Sequence, residues 1–167
     1  MVRVGSYSVE LIPSTTWGRS LYHLSRKKGS GFRGIWDKIR QRELARAGNK
    51  CEICGVSSIP LICNEKWSFQ KETLTQKLVG YEMACRDCDA IDHIGRTFAR
   101  GFRDFAVAHF TKVTGLSESD LDGALKQVKA EWQETSQYQW HIDISYEVLA
   151  RGYEQMINDL PICTSEQ

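Results

Sequence analysis

The chain has 167 residues, 41% of them hydrophobic and 26% charged, with a net charge of +1. That length fits one domain, or a small core with an appended lobe, and the composition is the ordinary make-up of a soluble globular protein. No run approaches the roughly 18 consecutive apolar residues of a membrane helix, and MVRVGSYSVE at the start lacks the charged and apolar regions of a secretory signal. The expectation is therefore a soluble, cytoplasmic protein with no membrane partner.

The near-neutral total conceals an asymmetry. Residues 1–50 hold 11 Lys/Arg and 3 Asp/Glu, a net +8; residues 51–117 hold 8 of each; residues 118–167 hold 3 Lys/Arg and 10 Asp/Glu, a net −7. A neutral total argues against a protein that coats nucleic acid with its whole surface, while the basic first third allows a local phosphate-binding face. The chain accordingly divides into a basic helical segment over 1–50, a cysteine-bearing unit over 51–97, and an acidic, mainly helical lobe over 98–167.

In chain order, Trp17, Leu21 and Leu24 suggest a short helix over 17–25. RKKGSGFRG at 26–34 follows as a flexible basic loop, with three glycines and four basic residues in nine positions. Its Arg26, Lys27, Lys28 and Arg33 are a candidate nucleic-acid contact, set against the default of a solvated loop. Ile35, Trp36, Ile39, Glu43, Leu44 and Ala47 mark one side of a helix that Gly48 stops. From Cys51 the period changes to two: Ile59, Leu61, Cys63, Trp67 and Phe69, then a second strand over Leu78–Met83, read as a β-hairpin. Trp67 and Phe69 are expected in the core rather than stacking on bases. A helix is expected from about Cys85 through His93 to Arg96. Ser117 with Asp120 resembles a capping box, after which Leu121, Leu125, Val128 and Trp132 form a helical face. Tyr138, Trp140, Ile142 and Ile144 alternate as a short strand, and Tyr146, Leu149, Tyr153 and Met156 return to helical spacing.

Six cysteines in an intracellular chain read as thiols or metal ligands before disulfides. Cys63 and Cys163 stand alone. Cys51 with Cys54 and Cys85 with Cys88 form two C-x-x-C knuckles, and two knuckles supply the four sulfurs of a closed tetrahedral zinc site. The 30 residues between Cys54 and Cys85 are enough for a hairpin. A thioredoxin-type redox pair would instead sit at the head of a βαβ unit, which the sequence does not show.

AGNKCEICG, then LICNEKWSF, then QKLVGYEMACRDCDAIDHIGR closely resemble a bacterial and phage branch of the HNH endonuclease family. In that branch a cysteine knuckle is followed by H-E-x-W-x-Y, then by Q-x-L-x-x-x-x-x-L-C-x-x-C-H-x-x-x-H. Trp36 to Cys54 looks like the family's lead-in helix, and its C-terminal W-x-x-x-S-x-x-x-W-x-x-D segment is matched by Trp132, Ser136, Trp140 and Asp143. The resemblance runs from about Trp17 to Leu149. It implies an α+β fold: a zinc-stabilised ββα-metal centre with flanking N- and C-terminal helices, in which a strand histidine activates water and helix ligands hold a divalent metal.

This sequence departs from that machinery where the chemistry lies. The general-base position is Asn64, which has no titratable lone pair near neutral pH. The usual histidine after the second knuckle is Asp89, which shares a helix face with His93 at i and i+4. That pair can bind a second divalent metal, but two protein ligands imply weak or absent occupancy; the alternatives are that His93 caps or packs the helix and that Asp89 accepts helix N–H groups. Cys63 stands where many of these nucleases have a ligand, and Gln76 stands near the orienting Asn. Glu65, a substitute base by type, should face away from Asn64 in strand alternation. The expectation is a catalytically degenerate HNH-like zinc protein that binds nucleic acid or a nucleic-acid-processing complex. The rivals are a phage or mobile-element inhibitor that docks on a host nuclease or defence complex, and an active metal-dependent endonuclease.

Overall fold

A computed structural model describes residues 2–9, 11–26 and 34–146. Lys27, Lys28, Arg33 and Cys163 lie outside the described residues, as do Leu149, Tyr153 and Met156 of the expected last helix. The fold is mixed α+β. Strands β1 (Val2–Val4) and β2 (Tyr7–Val9) form an antiparallel pair. Helices α1 (Leu21–Arg26) and α2 (Ile35–Arg46) follow, then strands β3 (Leu61–Gln70) and β4 (Thr75–Cys85), and α3 (Arg86–Asp92) and α4 (Ile94–Ala99). Two longer helices, α5 (Arg103–Thr114) and α6 (Glu118–Thr135), precede the short strand β5 (His141–Asp143). No helix among the described residues is long and apolar enough to cross a membrane.

The hairpin is the frame on which the candidate site is built. β3 and β4 pair antiparallel from Leu61 opposite Cys85 to Gln70 opposite Thr75, with a bulge between Lys66 and Trp67. β5 joins the far end of β4 in parallel, Gln76 lying opposite Ile142. α3 begins directly after β4, so strand, strand and helix succeed one another without a linker. Trp67 is buried and Phe69 packs edge-on to Trp140 with ring centroids 5.0 Å apart, as core residues do.

Several elements differ from the sequence expectation for identifiable reasons. The helix expected through Arg96 breaks at His93, whose backbone (φ −102°, ψ 40°) ends α3 and starts α4. The break brings both Ile91 and Ile94 into the core, and Thr97 Oγ1 bonds Ala90 O across it at 2.8 Å. Leu11 packs closely on α4 at Gly95, where a Cβ would lie 2.9 Å from Leu11 Cδ2 and would push that methyl aside. The helix expected from Trp17 starts only at Leu21, and Trp17 stays in solvent at 67% exposure. On α2 the buried polar residue is Glu43, which is paired with Arg42 at 2.6 Å and with Arg46. α6 starts as expected, on a capping box between Ser117 and Asp120, and buries Leu121 and Val128. One buried cluster draws on all three charge-defined segments, through Tyr7, Ile39, Met83, Ile91, Phe110 and Leu121.

Candidate metal centre and adjoining cleft

The four knuckle cysteines converge. Their sulfurs all lie within 4.8 Å of one another, and Cys54 and Cys85 are 3.8 Å apart. A tetrahedral ion with metal–sulfur bonds of about 2.3 Å requires sulfurs separated by about 3.8 Å, far beyond a disulfide bond of about 2.05 Å. Local structure aims each sulfur. Cys51 N–H donates to Val56 O and Gly55 N–H to Cys51 O, both at 2.9 Å, closing a tight loop in which Gly55 takes φ +76°. Glu52 ties that loop to β4, its N–H donating to Met83 O while its carboxylate accepts from Met83 N–H, both at 2.8 Å. Cys85 caps α3 through its sulfur, which accepts from Cys88 N–H at 3.4 Å.

Two further groups reach Cys88 from outside the motif. Tyr7 Oη lies 3.2 Å from its sulfur and His109 Nε2 lies 3.3 Å from it. Burial pushes the Tyr7 phenol far up, so the hydroxyl keeps its proton and is available to donate to a Cys88 thiolate. Burial likewise pushes the Cys85 and Cys88 thiols up, so thiolates at these positions need a cation to offset their lost hydration. The donor set therefore fits a structural metal ion. Among the described residues no other group of three or more His, Cys, Asp or Glu side chains comes together in this way.

Beside this centre, a cleft of about 840 Å³ runs between the hairpin, α3 and the segment leading into α1. Asn64, Gln76, Asp89 and His93 all line it, so the structure brings together the four positions singled out in the sequence. Their chemistry is mutual pairing. Asn64 Nδ2 donates to Asp92 Oδ2 at 3.3 Å. Asp89 Oδ1 lies 3.4 Å from His93 Nε2, and its Oδ2 accepts from Arg96 at 3.1 Å, so a guanidinium occupies the carboxylate that a second metal would use. Burial pushes the His93 imidazole down, with Asp89 opposing that shift. Gln76 is only 2% exposed and its Oε1 has no hydrogen-bond partner. Glu65 is turned toward α1 rather than toward Asp92: its carboxylate accepts from Leu21 N–H at 3.1 Å and Tyr22 N–H at 2.8 Å. Burial nevertheless raises its pKa to about 7.

Sequence reasoning passed over Asp92, Lys66 and Glu82. Asp92 is 9% exposed, its Oδ1 is unpartnered, and burial, reinforced by Glu82, raises its pKa to about 7. Glu82, across the ladder from Asn64, is 3.2 Å from Lys66 Nζ. Period-two alternation places Asn64, Lys66 and Glu82 on one sheet face, but only the docking of α3 adds Asp92 to them. Cys63 also lines the cleft as a buried thiol raised to about 12 by burial. Arg26 is exposed with its guanidinium 5.4 Å from the centre of the Tyr22 ring. The C-terminal quartet is structural: Trp140 Nε1 donates to Thr135 O, Trp132 Nε1 to Ile12 O, Ser136 Oγ accepts from Ser14 N–H, and Asp143 accepts from Ser145 N–H.

No family model matches this sequence, and no curated protein or solved structure matches it either. The geometry of the chain itself therefore carries the functional argument.

Proposed function

We propose that the chain is a zinc-braced ββα protein of HNH type that binds nucleic acid along the cleft without cutting it. One observation carries this reading. At the strand position where the resemblance puts a general base, the Asn64 amide donates to the buried Asp92 carboxylate. An amide cannot take a proton from water, and general-base assistance is typically worth about 10²–10⁴-fold in rate. The neighbouring Asp89 is held by Arg96 and His93, which opposes a catalytic metal there.

Zinc suits the four cysteines, since a closed set of thiolates favours a borderline-soft tetrahedral ion. With no open coordination position it would act as a brace, joining the α2–β3 loop to the β4–α3 junction. Binding is supported by the basic first third of the sequence and by Arg40 at the cleft, where Lys66 and Arg96 stand already paired with Glu82 and Asp89.

The test pairs a binding assay across salt with a nicking assay on plasmid and single-stranded DNA in Mg²⁺, Mn²⁺ or Ni²⁺. The expected result is salt-sensitive affinity and no cleavage. Robust nicking abolished by Asp89→Ala or His93→Ala would make the chain an active endonuclease. Capture of a protein partner without nucleic-acid affinity would make it an inhibitor or adaptor.

A further inference from the structure

A second hollow, of about 470 Å³, opens beside the cleft and is lined by the indoles of Trp17 and Trp132 together with Leu11, Gly95 and Ala99. Trp17, His93 and Arg96 line both spaces, so the two adjoin. Among the described residues Trp17 is the most exposed large hydrophobic side chain, at 67%. It is nonetheless fixed in place. Trp17 Nε1 donates to Ile12 O at 3.0 Å, and Trp132 Nε1 donates to the same oxygen at 3.1 Å. One carbonyl thus satisfies the polar edges of both rings and holds them side by side. Gly95 supports the arrangement by letting Leu11, one residue before that carbonyl, press against α4. No aromatic ring among the described residues stacks on either indole.

The charges beside the rings narrow the occupant. Lys129 and Arg96, the latter also bonded to Asp89, line the hollow with one acid, Asp92. Aromatic faces next to cations suit a planar, apolar-faced ring that carries a negative group, which is the chemistry of one nucleotide. In a duplex the base faces are covered by their neighbours, so only an unpaired base can offer one to an indole. We infer that this hollow takes an unstacked base of a single-stranded nucleic acid whose backbone continues into the cleft. The inference rests on the reading of the cleft as a nucleic-acid site and adds the substrate class to it.

The experiment measures binding of a short oligothymidylate, a duplex of equal length and thymidine monophosphate to the full chain loaded with zinc. The single strand is expected to bind about tenfold or more tightly than the duplex. Trp17→Ala should weaken the single strand by about tenfold and the duplex by several-fold less, while Trp17→Phe, which keeps an aromatic face, should retain most of the affinity. Lys129→Gln should flatten the salt slope by roughly one phosphate contact. Equal affinity for strand and duplex, single-strand binding indifferent to Trp17→Ala, or a mononucleotide that binds as tightly as the strand would each overturn the inference while leaving the cleft reading in place. Absence of any binding at low salt would overturn the cleft reading itself, and this inference with it.

Discussion

At the candidate metal centre four cysteine sulfurs converge, and the Tyr7 hydroxyl and the His109 imidazole both reach the sulfur of Cys88. Along the cleft the charged groups turn toward one another instead: Asp89 to His93 and Arg96, Glu82 to Lys66, Asp92 to Asn64. The same hairpin and helix carry both arrangements. The four sulfurs form a donor set that a cation would complete, whereas the charged groups of the cleft already have partners, Asp92 Oδ1 excepted. Under the function proposed above, the sulfurs are the bracing half of a ββα-metal unit and the paired cleft residues its disabled catalytic half.

The largest effect should follow from breaking the convergent half. Elemental analysis should find about one zinc per chain, and Cys51→Ser or Cys88→Ser should yield insoluble or grossly destabilised protein. A structural zinc site contributes folding free energy of order 10 kcal/mol, more than a domain of this size has to spare. A well-folded, metal-free preparation would break the comparison at its root.

A smaller effect, with a defined sign, belongs to the cleft. Asp92 has a folded-state pKa raised to about 7, above the ordinary carboxylate value. Between those values the folded chain binds a proton that the unfolded chain has released, so the stabilising contribution is complete at low pH and is lost as pH rises through about 7. Glu65, also raised to about 7, acts in the same direction. Between about pH 5 and 7 each should lower stability by of order 1 kcal/mol per pH unit. His93 and His109, which burial pushes down, contribute in the opposite direction, so the effect is read as the difference in slope between parent and variant. Asp92→Asn, neutral at every pH, should remove part of that slope. If the slope is unchanged in the variant, Asp92 is not the titrating group.

The contrast also separates what could be read in the sequence from what could not. The cysteine cluster was legible because each knuckle is local: two residues fix the position of the second sulfur, leaving one long-range step across the hairpin. α6 was legible for the same reason, since Ser117 and Asp120 set its start within one turn. The cleft was not. Asp92 meets Asn64 only because α3 folds back over the hairpin, and no local signal marks the break at His93 that ends α3. β5 pairs in parallel with a strand that starts 66 residues earlier, a partnership its own alternation cannot name. Trp17 shares helical spacing with Leu21 and Leu24, but the helix starts only at Leu21 and Trp17 is left exposed, its indole bonded to Ile12 O.

The smallest effect is the most discriminating for the metal centre. Tyr7 is fully buried, and Cys88 is the partner of its hydroxyl. If Cys88 were a neutral thiol, it would be a weak acceptor, and removing the hydroxyl would leave only a small void. If Cys88 is a metal-bound thiolate, the bond is charge-assisted and is worth about 1.5–3 kcal/mol net. Tyr7→Phe keeps the ring that packs 5.8 Å from Phe110, so the core is preserved while the donor is lost. The variant should fold, bind zinc in the same stoichiometry, and release it to a chelator several-fold faster than the parent. His109→Ala should act in the same direction but less, because that imidazole is half-exposed and water can replace it as donor. Unchanged zinc release in Tyr7→Phe would mean that the hydroxyl does not support the thiolate, and the convergence on Cys88 would then be packing alone.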